Sequence, residues 1–345
     1  PMLAAFLRRE PLPTTPPTRT TLYPLNALFA QSCQDGDLAT AVQVLALPWA
    51  GRPFHHWLLE LELLSGHLEL TDRIAQHPLA ATLPTAYRAF LAAAQADRLI
   101  YYLPPLPVPG EPETGQVLVI GADAGEPAPP PDVVAPAPDL TAAIGGYRLA
   151  YRLYRDADYP HHALACLHRL IDLSLYTREE ARLREAAGWA KDGLTRSDEL
   201  QLPAESASFL YQLALIQTSV DQDLAAHLSL LHLLRLPRAA IASPLLERAW
   251  RFLGYLYELH GDPLDALVCY LQTLPPSDQP PPAETLPSYV SGALAAFDLH
   301  AGQAVVDQAF GRLRDPTWTP PLFPATALPP FADPPGDLDD PLPEA

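Results

Sequence analysis

From Leu22 to Tyr102 and again from Leu140 to Arg314, apolar side chains recur every three or four residues, and β-branched alternation is scarce. A chain written this way can bury its apolar surface only as amphipathic helices, each about a dozen residues long and joined by short turns. Proline sets where those helices stop. Between residues 104 and 139, Pro104, Pro105, Pro107, Pro109, Pro129, Pro130 and Pro131 are interleaved with Glu111, Glu113, Asp123, Glu126 and Asp132, with no basic residue. Such a stretch neither continues a helix nor builds a core, so it reads as an acidic linker. Inside it, Gln116-Val117-Leu118-Val119-Ile120-Gly121 is a short β-prone run. Residues 316–345 repeat the linker's chemistry and read as a flexible acidic tail. The expected plan is an irregular segment over 1–21, a helical block over 22–103, the linker over 104–139, a second helical block over 140–315, and the tail. A further break from Pro275 to Pro287 reads as a long loop. Thr177-Arg178-Glu179-Glu180 fits a capping box, and Ser243-Pro244 and Asp262-Pro263 each put a side-chain acceptor before a first-turn proline.

The formal net charge of −18 opposes binding to a phosphate backbone, and no arginine run is longer than Arg8-Arg9, so nucleic acid is not an expected partner. Cys33, Cys166 and Cys269 are widely separated, which suits buried thiols in a reducing compartment and an expected cytoplasmic location. The opening Met2-Leu3-Ala4-Ala5-Phe6-Leu7 precedes its arginines, the reverse of a secretory signal. No apolar run approaches the roughly 20 residues of a membrane span. Pro1 ahead of the single methionine suggests a tag remnant or a segment of a longer chain.

The most specific pattern is Trp250-x2-Leu253-Gly254-x2-Tyr257, then Gly261-Asp262, then Ala266-x3-Tyr270. Spacings of three and four put Trp250, Leu253, Gly254 and Tyr257 on one helical face. Gly261 ends that helix, and Ala266 and Tyr270 form the facing stripe of the next, small opposite large. Weaker copies run Tyr147-x2-Ala150-Tyr151-x2-Tyr154 with Ala163-x3-Leu167, Phe209-x2-Gln212-Leu213-x2-Ile216 with Ala225, and Leu25-x2-Leu28-Phe29-x2-Ser32 with Gly36-Asp37 and Ala41-x3-Leu45.

This spacing resembles the tetratricopeptide repeat, departing from it at Thr273 and Asp278, where the family has its late alanine and closing proline. The resemblance implies an all-α fold, a right-handed α-solenoid of antiparallel helix pairs, with a concave groove that holds a protein or peptide partner. It places Arg148, Arg152 and Arg155, and Arg248, Arg251 and Tyr255, on that groove. An acidic ligand would complement such a strip, and the tail residues Asp337, Leu338, Asp339 and Asp340 are a candidate in cis.

Phosphate-cradling, nucleophile-elbow and His-Glu-x-x-His motifs are missing from the sequence, so no enzyme activity and no cofactor are expected. Glu60 and Glu62 lie on adjacent helical faces and read as solvated charge. His161, His162, Cys166 and His168 are the densest set of metal-ligand residue types, but no second ligand pair follows at zinc spacing, and no metal is expected there. His55-His56 and the stretch His227 to His232 read as surface or groove-edge residues. The function expected is an adaptor or scaffold. Two other readings are the repeat portion of a larger bacterial transcriptional regulator or signal sensor, and a metal-dependent enzyme using His161, His162 and His168.

Overall fold

The computed structural model describes residues 2–9, 12, 14–18, 20–50, 52–61, 64–101, 103, 106, 138–287, 290 and 302–322. The β-prone run at 116–121, nearly all of the acidic linker and the tail beyond 322 therefore lie outside the described residues. Where described, the chain is mostly helical and successive helices pack on one another. Two compact units form. The first joins Pro1–Pro105 with Val117–Leu173, and the second joins Leu106–Gln116 with Ser174–Ala345.

The first unit holds α1 (Met2–Arg9), α2 (Tyr23–Gln34), α3 (Leu38–Leu45), α4 (Phe54–Glu60), α5 (Leu64–Ala75), α6 (Thr85–Leu99) and α7 (Leu140–Asp156). The division between units falls inside α8 (Pro160–Thr177). A two-residue ladder that periodicity did not suggest, β1 (Pro48–Trp49) with β2 (Arg52–Pro53), turns the chain into α4. The indole of Trp57 donates to the Trp49 carbonyl at 2.8 Å and that of Trp49 to the Thr15 carbonyl at 3.0 Å, pinning this corner to the N-terminal segment. Leu25, Phe29, Leu45, Phe54 and Leu58 form its core.

In this unit α6 and α7, whose sequences flank the proline-rich stretch, pack extensively on each other. Their seam is made of small residues. Ala89, Ala92 and Ala96 on α6 and Ala143 and Ala150 on α7 are buried, and a Cβ built on Gly146 of α7 would stand 3.0 Å from the Ala96 methyl and 3.2 Å from the Ala92 carbonyl. With so little between them, the two backbones approach until the polar residues beside the seam touch.

The second unit contains α9 (Glu180–Glu199), α10 (Pro203–Ser219), α11 (Asp223–Arg235), α12 (Ser243–Leu259), α13 (Pro263–Leu271) and α14 (Gly302–Arg314). Two of its seams interlock by one device. A Cβ on Gly254 of α12 would lie 2.5 Å from the Tyr270 ring of α13, and a Cβ on Gly193 of α9 would lie 2.4 Å from the Phe209 ring of α10. In each case the missing side chain is the seat for an aromatic ring. Tyr270 then donates to Glu258 Oε2 at 2.7 Å, fixing the ring's tilt.

One connection recurs in both units. After α2, α7, α9, α10 and α12 the chain places one residue in the left-handed region (Gly36, Asp158, Gln201, Asp221, Gly261), and the next residue immediately precedes the following helix. That next residue (Asp37, Tyr159, Leu202, Gln222, Asp262) donates its backbone N–H to the carbonyl five residues back, at 2.8–2.9 Å in every case. This is a Schellman closure, and it satisfies carbonyls that the helix end would leave open. Five residues beyond each left-handed position stands a small buried side chain, Ala41, Ala163, Ser206, Ala226 or Ala266, and nine beyond stands a large one, Leu45, Leu167, Leu210, Leu230 or Tyr270.

This register corrects the sequence reading in several places. In α10 the matching positions are Leu210, Leu213, Ala214 and Gln217, one residue after the Phe209, Gln212, Leu213 and Ile216 read from periodicity, and the facing alanine is Ala226, buried where Ala225 is only half-buried. Both faces of α10 are buried, against α9 and α11, so its apolar pattern carries no single phase. The α9 to α10 turn does not show in the sequence because it has Gln201 where its counterparts have Gly or Asp, and Ser206 where all four have Ala. Thr177 to Glu180 is not a capping box. Thr177 ends α8, Arg178 has φ of 53°, and Glu179 stands at the N-cap without a side-chain bond to the helix's own backbone N–H groups. Ser243 and Asp262 likewise make no side-chain cap, whereas Asp37 accepts from Thr40 N at 3.1 Å and Asp139 from Ala142 N at 2.9 Å.

Candidate functional site

The six residues expected to line a groove are divided between the units, three on α7 and three on α12. Arg148, Arg152 and Arg155 are half-buried, with Arg155 Nε 3.7 Å from the Asp156 carboxylate. On α12, Arg248 is exposed, Arg251 is half-buried and paired with Glu247, and Tyr255 packs against the core. The charge on this face is thus partly balanced from within its own helix. The expected repeat residues are interior: Trp250, Leu253, Gly254, Tyr257, Ala266 and Tyr270 are buried, and Gly261 adopts φ of 79°.

The start of the tail is not loose. Trp318 packs against the core of the second unit, and Tyr257 donates to the Pro321 carbonyl at 2.5 Å. Beside it, His227 Nε2 lies 3.4 Å from the Tyr257 hydroxyl. His227 is buried, against the surface position expected for it, and burial with the nearby His260 charge pulls its imidazole down to about 4.

The histidines of α8 do not converge. His161 and His162 are exposed, His162 stacks near Tyr154 and Tyr159, and Cys166 is buried. A different set does converge, all of it in the first unit. His55, His56 and Asp97 bring one possible ligand atom each to within 4.8 Å of one another, the single such group of three among the described residues. His55 is buried, correcting the surface position read from its sequence, and its ring stands edge-on to Phe90 at 5.1 Å. Phe90 and Asp97 share a face of α6 two turns apart. The α6/α7 seam puts Tyr147, the residue after Gly146, against Asp97, the residue after Ala96, and the Tyr147 hydroxyl donates to Asp97 Oδ1. His56 Nε2 lies 3.2 Å from the other oxygen, Oδ2.

Burial alone would raise the Asp97 pKa, but the His56 hydrogen bond and the charges of His56, His55 and Arg169 outweigh it and hold the carboxyl at about 2. Burial, then the Asp97 charge, pushes the Tyr147 phenol well up and the Cys166 thiol to about 12, so both stay protonated. The result is one fixed carboxylate hydrogen-bonded by His56 and Tyr147, with His55 beside it. Sequence reasoning could not assemble it, because its members come from three helices, one of which, α7, lies beyond the proline-rich stretch. Glu60 binds Arg52 across the β-turn corner and is unavailable for acid/base work, while Glu62 lies outside the described residues.

Among the described residues, no helix is long and apolar enough to cross a membrane. Compared with known proteins, the chain matches no family model and no curated protein.

Proposed function

We propose that this chain is a tetratricopeptide-type scaffold in which antiparallel helix pairs stack as a right-handed solenoid and an acidic protein or peptide segment binds along outward helix faces bearing Arg248, Arg251 and Tyr255, with Arg148, Arg152 and Arg155 as the counterpart on α7. The observation that carries this reading is the recurrence of one helix connection with the same small-then-large register at five positions. A stack built that way leaves the outer helix faces unneeded for the core, which is what repeat proteins use for recognition. The three cysteines, all buried and unbridged, fit a cytoplasmic setting.

The test uses a labelled peptide carrying the chain's own acidic segment around Asp333 to Asp340, with binding read by fluorescence anisotropy. Affinity for the full chain should fall as salt rises, because screening shortens the reach of exposed charge to about 8 Å at physiological ionic strength. Removing residues 323–345 should tighten binding by deleting the competitor in cis, and Arg248→Glu should weaken it by roughly tenfold. Binding indifferent to salt and to Arg248→Glu refutes the reading.

A further inference from the structure

We propose that His55, His56 and Asp97 form a binding site for a divalent transition-metal ion of the zinc class, with Tyr147 orienting the carboxylate. Two imidazoles and a carboxylate are the donor set such ions prefer, and three protein ligands leave a fourth position for solvent. The geometry is close to what an ion requires. Around a tetrahedral ion with bonds of about 2.0–2.2 Å, ligand atoms stand about 3.4 Å apart. His56 Nε2 and Asp97 Oδ2, at 3.2 Å, already span one such edge, and the whole group lies within 4.8 Å.

The surroundings supply what a bare cluster lacks. Tyr147 donates to Oδ1 and so leaves Oδ2 for the ion, the outer hydrogen bond that fixes a ligating carboxylate. The His56 side chain is 34% exposed and that of Asp97 17%, giving an entry path, while His55 is buried against Phe90. Binding takes the neutral His56 imidazole with its ring proton on Nδ1, so the ion takes the place of the His56–Asp97 hydrogen bond.

The full chain, stripped with a chelator, is titrated with Co²⁺ while its visible absorption is recorded, and with Zn²⁺ by calorimetry in buffers of different ionisation heat. A single equivalent with a tetrahedral Co²⁺ band and matching Zn²⁺ stoichiometry is expected. His56→Ala and Asp97→Asn should abolish the band, and Tyr147→Phe, which keeps the ring packing, should weaken binding by roughly 10- to 100-fold. His161→Ala with His162→Ala should change nothing. Because Asp97→Asn also removes a charge that pins three helices, the decisive reading is on the unaltered chain. If that chain shows no saturable Co²⁺ binding, the network is only a structural pin and the proposal falls. Full retention in His56→Ala, or loss in the His161/His162 double variant, overturns it equally.

Discussion

At the scale of single residues, the glycines separate into seats and bystanders. Gly254→Ala gains helix propensity of up to about 1 kcal/mol but drives a methyl into the Tyr270 ring, and overpacking of that kind costs about 1–3 kcal/mol. The Tyr270 ring cannot swing aside without breaking its bond to Glu258, so the clash should win and the denaturant midpoint should fall. Gly193→Ala should behave the same way against Phe209. Gly145→Ala, where a methyl meets nothing within 4 Å, should instead raise the midpoint. Gln201 holds φ of 56° without being glycine, a conformation that disfavours side-chain-bearing residues by about 1–2 kcal/mol. Gln201→Gly should therefore stabilise the α9 to α10 turn, measured as a rise in unfolding free energy. These positions differ in how far sequence could identify them. Gly254 and Gly261 stood out because their neighbours keep the repeat spacing, whereas Gly193 and Gln201 did the same work without that context.

At the scale of elements, the helices were legible and their phases less so. Helix existence follows from three- and four-residue periodicity, which is local. Phase follows from which side meets a neighbour, and α10 meets one on each side. The caps show the same divide. Asp37 was visible through Gly36-Asp37, but Asp139 caps α7 from the edge of the proline-rich stretch, where the sequence offered only linker chemistry. Asp139→Ala should cost about 1 kcal/mol, read as earlier thermal unfolding of the first unit. The small-residue seam between α6 and α7 makes a second test. Ala96→Leu should separate those helices, pull Tyr147 from Asp97, and destabilise by about 1–3 kcal/mol.

For the molecule as a whole, the two units should differ in their response to acid. His227 in the second unit takes its proton at about 4 when folded, against 6.5 for an unburied imidazole. The unfolded chain thus binds the proton first, so the stability this residue confers is full above 6.5 and is lost as pH falls towards 4. Asp97 in the first unit is held at about 2 against 3.8, so its contribution is present above 3.8 and lost as pH falls towards 2. Thermal midpoints followed against pH should show a slope between 6.5 and 4 that becomes shallower in His227→Leu, and a separate loss below 3.8 that Asp97→Asn removes. Two kinds of information meet in this protein. The amino-acid sequence alone determined that the chain is helical, where prolines break it, and that Trp250, Tyr257, Ala266 and Tyr270 face inward, because those properties depend on neighbours within a turn or two. Only tertiary structure decided that α6 packs on α7 and that His55, His56, Asp97 and Tyr147 meet. That meeting depends on how closely small side chains let two backbones approach, a distance that no local pattern encodes.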